Sequence, residues 1–270
     1  MLNSLNLLPV WSILTLFWIL FVGIYWLGVI FLRPFLRVLL CRQATLNDSV
    51  GYLLGAHGAY LAVLLGLLSV EAHQNLISVE EIASTEAGKV ASIYRNAEFY
   101  PEPIRSQVKQ QLRKYVDHVI DEAWPLQAQG IIPVSGLQIV KDFEDELLKF
   151  EPGTDGQKIL HGETVRLVSE WTEARRARLQ AVHIEIQDIL WVSVFMGAAV
   201  ATILMWVLDM RSMTHFVLGG IISFFLATLV GVIVAMDHPY TGELGVKPDS
   251  FTLLRDTLMN SSAASVEAAP

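Results

Sequence analysis

The chain has 270 residues, 53 % of them hydrophobic and 17 % charged, where ordinary soluble domains carry about 25 % charge; this balance, with a mean hydropathy of +0.46, argues against a soluble fold throughout. A net charge of −8, most of it from residues 71–188, excludes a surface built to grip a phosphate backbone, and no nucleic-acid partner is expected. The single cysteine, Cys41, excludes an intrachain disulfide framework and a thiolate-rich metal site.

In chain order, residues 10–32 form the first apolar run, with no charge in its whole length. About 20 helical residues cross the hydrocarbon core, so this run predicts a transmembrane helix. It is too long and aromatic for an ordinary signal peptide and lacks a basic segment before it. Arg33, Pro34 and Arg37 are expected to mark its end at the headgroups. A second span covers 50–70 and closes at Glu71. Gly58, Ala62 and Gly66 recur there every four residues, which places small side chains on one face where another backbone can approach. His57 is an ionisable group deep in that span. Such a group faces protein or water, so it either hydrogen-bonds a neighbouring helix or lines a pore or handles protons.

Residues 71–188 read as an extramembrane domain of helices. Ser78 and Glu81 match a capping box, predicting a helix from there to about Phe99, broken by Pro101 and Pro103; that helix can also be read as a continuation of the second span. A second helix is expected over 104–124, with Ile104, Val108, Leu112, Tyr115, Val119 and Ala123 inward and Lys109, Arg113, Lys114, Asp117 and Asp121 outward, ending at Pro125. A third, over 135–150, turns Leu137, Val140, Phe143, Leu147 and Phe150 inward. A fourth, over 159–188, carries Val168, Trp171, Leu179, Val182 and Ile186 and can run into the third span. His118 and Glu122 stand one turn apart, with Asp121 adjacent. A surface hydrogen bond is the plain reading, and metal binding would require further ligands. Arg175, Arg176 and Arg178 are assigned an interfacial or intradomain role.

The third and fourth spans, 189–208 and 216–236, are separated by a link short enough to predict a tight antiparallel hairpin. Gly219, Ser223, Ala227, Gly231 and Ala235 recur every four residues through the fourth span. They form either a helix-packing seam or a face that lines a pore or lets a helix pivot. Arg33, Glu71, Asp209, Arg211, Asp237 and His238 sit at span ends as candidate interfacial residues, suited to capping and headgroup contact or to an ion-entry ring in an oligomer. The tail from Asn260 is Ser- and Ala-rich and is read as disordered. No nucleophile–base, dinucleotide-binding or phosphate-loop motif is legible, so no catalytic residue, cofactor or metal is assigned and the chain is not read as an enzyme.

The expected fold class is therefore all-α and polytopic: a first transmembrane hairpin in 1–70, a helical domain in 71–188, a second hairpin in 189–236 and a C-terminal segment in 237–270. Three stretches in that order resemble the bestrophin-like membrane proteins, a family long labelled only as a domain of unknown function. They are the second span from Val50 on to Glu86 and Tyr94; Pro101 to Pro103 with Tyr115 and Asp121 to Pro125; and Asp237 to Glu243 leading to Val246 and Phe251. Tyr240 stands where the family usually has Phe, and Ala123 interrupts its usual Glu-Trp-Pro. The resemblance implies four spans, a cytosolic helical domain, a homo-oligomer (a pentamer, as in true bestrophins) and passage of an inorganic anion. The bilayer itself is the other expected partner, in a plasma or bacterial inner membrane. Arginines in the short connections point the domain outward by the positive-inside rule; the resemblance points it to the cytosol, which is the preferred orientation. The rival reading is a non-conducting membrane scaffold or sensor that recruits a partner through the helical domain.

Overall fold

The computed structural model describes residues 8–39 and 45–260, so Cys41, Arg42 and the tail beyond Asn260 lie outside the described residues. Among the described residues every regular element is helical. Helix α1 spans Val10–Leu39, α2 Leu46–Asn96, α3 Ile104–His118, α4 Trp124–Gln127, α5 Gly136–Leu148, α6 Asp155–Gln180, α7 Asp188–Val207, α8 Ser212–Met236 and α9 Asp249–Leu254. Four of these, α1, α2, α7 and α8, contain stretches long and apolar enough to cross a bilayer. The chain is an all-α, multi-pass membrane protein.

It divides into two compact units. The first is Met1–Asn75, Glu185–His238 and Gly242–Leu244; the second is Leu76–Ile184, Pro239–Thr241 and Gly245–Pro270.

In the first unit the most extensive pairing joins α1 and α8, which run antiparallel, and α7 packs against α1. The expected hairpin of α7 and α8 does turn within a few residues, yet these two helices pack on each other only slightly. The reason lies on α8. Its small residues Gly219, Ser223, Ala227, Gly231 and Ala235 are all buried, and what fills the space above them comes from α1. A Cβ on Gly219 would lie 1.9 Å from the Tyr25 ring, and one on Gly231 3.0 Å from Leu14. Gly28 of α1 does the same for α7, since a Cβ there would fall 2.0 Å from Trp206. Helix α1 also continues past Arg33 and Pro34 to Leu39. The proline removes one backbone donor without stopping the helix, which corrects the expected end.

Helix α2 runs without interruption from Leu46 to Asn96. No helix begins at Ser78. A capping box needs a non-helical residue at its head, and nothing in 71–77 breaks the helix that precedes it. In the first unit α2 buries Leu61, Leu65, Leu68 and Ala72 and leaves its opposite face open.

The second unit has one core. Val90, Ile93 and Tyr94 of α2, Val108, Leu112 and Tyr115 of α3, Phe143 of α5 and Trp171 of α6 all enter it. Trp171 sits between Tyr115 and Phe143, edge to face at 4.8 and 5.3 Å between ring centroids. The α3 stripe is buried as its spacing predicts, with Ile104 at its half-covered end. Pro125 does not halt that helix. A π turn over Val119–Ala123 widens the ladder ahead of the proline, and helical structure persists through Gln127. On α5 the inward face is Ile139, Val140, Phe143 and Leu147, whereas Leu137 is 57 % exposed, a correction to its expected place. Helix α6 starts at a capping box of Thr154 and Gln157 and ends at Gln180; it does not continue into α7. The chain is non-helical over 184–187. After the fourth span, α9 and a π turn over Arg255–Met259 add Phe251, Leu254 and Met259 to the core.

Candidate functional site

Within the first unit, several polar side chains in or beside the spans have defined partners. His57 places Nε2 2.8 Å from the Gly197 carbonyl on α7, so that nitrogen carries a proton and donates it. Gly197 makes room for the neighbouring Leu61 of α2, since a Cβ there would fall 2.5 Å from it. His215 gives its Nε2 proton to the Leu208 carbonyl at 2.7 Å, which leaves Nδ1 of the neutral ring to accept from the Tyr25 hydroxyl at 3.0 Å. Arg33 is buried and turns inward, donating to the Met210 carbonyl and, at 3.4 Å, to Ser212. Asn47 holds the backbone of Asp209 from both sides, at 2.7 and 2.9 Å, and so ties the start of α2 to the α7–α8 turn. Arg211 is exposed at the head of α8, and Glu71 is half-buried inside α2.

Asp237 closes the other end of α8. Its carboxylate is buried and accepts from the Ile186 backbone N–H at 2.8 Å and the Trp191 indole N–H at 3.1 Å. The carboxylate therefore takes up a donor that the non-helical stretch before α7 would otherwise leave unmet. Next to it, His238 lies 3.7 Å from Glu185.

The small residues of the two stripes differ in their surroundings. Those on α8 are covered by α1. On α2, Gly58, Ala62 and Gly66 are exposed, and a Cβ on either glycine would meet nothing within 4 Å. Gly51 and Gly55 of the same helix are equally open. Only 17 % of the apolar window of α2 is buried, compared with 33–39 % for the other three spans. Of the four, it is the helix least covered by its own chain.

The second unit is organised by a buried ion pair that sequence reasoning missed. Arg178 and Glu86 are 1 % and 0 % exposed, and the guanidinium meets the carboxylate through Nε at 2.6 Å and Nη2 at 3.4 Å. Tyr115 donates its hydroxyl to Glu86, and Gln127 accepts from Arg178 Nη1. Tyr240 donates to the Arg178 backbone carbonyl at 3.1 Å, and the rings of Trp124 and Phe251 lie 6.0 and 5.8 Å from the guanidinium carbon. Burial works against the charge on Arg178, but the adjacent Glu86 carboxylate outweighs it and the group stays protonated. Burial likewise pushes the Tyr115 and Tyr240 phenols well above the ordinary phenol range.

Glu86, Tyr115, Trp124, Tyr240 and Phe251 come from all three of the sequence stretches singled out above, and Arg178 is the residue around which they meet. The signal that would have found the pair is two charges of opposite sign on the apolar faces of separate helices. Glu86 lies between Ala83, Ala87 and Val90, and Arg178 lies two turns from Trp171. Fully paired and surrounded by aromatic rings, the group fixes α2, α3, α4, α6 and the C-terminal segment against one another. It offers no open position to a substrate.

A family model described as "Bestrophin-like domain" matches residues 19–251. No curated protein and no solved structure is matched by the chain.

Proposed function

Because the chain belongs to the bestrophin-like family, we propose that it works as a homo-oligomeric ion channel, selective for inorganic anions, with α2 along the ion pathway. The observation that carries this reading is the uncovered face of α2. A span rich in glycine and alanine on its open side, and less buried than the other three, is suited to close approach by the same helix of further copies. Gly58, Ala62 and Gly66 then pack between subunits or border the pathway, and His57 braces α2 against α7 from behind. A ring of such faces with no charged side chain would gate by wetting and dewetting of an apolar constriction. A pentamer follows by analogy with true bestrophins, as does a cytosolic helical domain. The arginines Arg33 and Arg211 and the acids Asp209 and Asp237 shape the span ends.

A second reading has one observation in its favour. The span of α2 over 50–70 presents no charged side chain, and His57 already donates to Gly197. A non-conducting scaffold that recruits a partner through the second unit would need none. Purified protein in liposomes separates the two. The channel reading expects anion flux above that of empty liposomes, together with a native mass of several chains. A monomer that passes no ion at any voltage, pH or calcium level would leave the scaffold.

A further inference from the structure

The second unit carries a side-chain relay that the channel reading does not use. His118, at the end of α3, has a buried imidazole with Nδ1 3.0 Å from Glu122 Oε2 and Nε2 3.4 Å from Ser135 Oγ. With the Nδ1 proton given to the carboxylate, the Nε2 lone pair faces the serine hydroxyl. Ser135 stands at the N-cap position of α5, where a serine usually accepts from the first-turn backbone; here it makes no cap bond and is turned to the histidine instead. Gly136 leaves room for this. A Cβ there would lie 2.9 Å from His118 Nε2. All three side chains line an open cleft of about 530 Å³, whose walls include Lys114, Asp117 and Asp121 and a single apolar side chain, Ile139.

We propose that Ser135, His118 and Glu122 form a hydrolytic centre for short-chain carboxylic esters. A hydroxyl bonded to an imidazole, which is in turn held by a carboxylate, is the arrangement that activates a serine oxygen, and apo spacings of this kind are commonly loose. The Ser135 oxygen bonds to the ester carbonyl carbon as its proton passes to Nε2. The tetrahedral adduct collapses, the carbon–alkoxy bond breaks, and the leaving oxygen takes the proton from Nε2. Water then attacks the acyl-serine by the same route, releasing the acid and restoring the hydroxyl. The charged, open lining limits the acyl group to a short one. Glu122 is largely exposed and acts as a positioning residue, through the histidine. This centre revises the expectation of a chain without catalysis, and it does not depend on whether the protein conducts.

The test treats full-length protein in detergent with a fluorophosphonate probe and locates the adduct by peptide mass spectrometry. The adduct should sit on Ser135 and fall at least about tenfold in Ser135→Ala and His118→Ala. Added imidazole should restore labelling in His118→Ala, which a merely structural loss would not allow. Hydrolysis of p-nitrophenyl acetate should follow the labelling. Glu122→Gln should lower kcat for that ester while leaving its KM unchanged. An adduct absent from Ser135, or formed equally well without His118 and unaffected by imidazole, overturns the proposal.

Discussion

At the scale of single residues, the buried Arg178–Glu86 pair is the group whose loss the second unit should feel most. Removing one partner strands the other charge in the core. Arg178→Met or Glu86→Leu alone should therefore lower unfolding stability by about 3–5 kcal/mol, while the double variant recovers much of the loss. Thermal unfolding of the three variants in one detergent checks this, and equal losses in single and double variants would contradict it. The buried phenols set an alkaline limit. Tyr100, Tyr115 and Tyr240 are each pushed by burial above the ordinary value of about 10. With folded values above unfolded ones, their contribution is complete below about pH 10 and is lost as pH rises through the raised values. Helicity followed against pH should fall in that alkaline window, together with a late rise in phenolate absorbance. Tyr240→Phe should flatten the slope. Phenolate near pH 10 that is lost in Tyr240→Phe, with helicity intact, would show that this ring is not buried. The pair was not legible beforehand: one glutamate among the four of α2 and one arginine among three near 178 look like ordinary helix charges until the fold brings them together.

At the scale of elements, apolar run length predicted four helices able to cross a membrane, because crossing hydrocarbon leaves the backbone few alternatives to a helix. Local stop signals were less informative. Pro34 lies within α1, Ser78 lies inside α2, and Pro125 is accommodated by a π turn. Each residue weakens a helix locally, and tertiary packing outweighs it. The spacing on α8 marked a small-residue stripe but left open whether it was a seam or a pore-lining face, since spacing reports a small face without naming what covers it. The geometry now separates the two stripes by consequence. Gly219→Ala drives a Cβ into the Tyr25 ring and should cost about 1–3 kcal/mol or more, read as a lower unfolding midpoint of the monomeric species. Gly66→Leu meets nothing in its own chain and should leave that midpoint unchanged while shifting the native mass toward fewer chains. A Gly66→Leu variant that unfolds early would place the face inside the monomer. Asp237→Ala leaves the donors on Ile186 and Trp191 unmet and should cost about 1–3 kcal/mol by the same unfolding measurement.

At the scale of the whole molecule, two units are threaded by one chain that leaves the membrane unit along α2 and returns to it through the non-helical stretch at 184–187. The division into membrane spans and a helical domain was readable from composition alone, because four long runs carry almost no charge while the stretch between the second and third carries ordinary soluble composition. The proposed assembly was not, since that proposal rests on a face of α2 that the chain itself leaves open. The reading as an anion channel rests on that face and on the family. Its most direct test is the reversal potential of currents from purified protein in a planar bilayer under a chloride gradient. The account predicts currents that reverse near the chloride equilibrium potential. Currents that follow the cation gradient instead, or a bilayer that stays silent with oligomeric protein inserted, would contradict it.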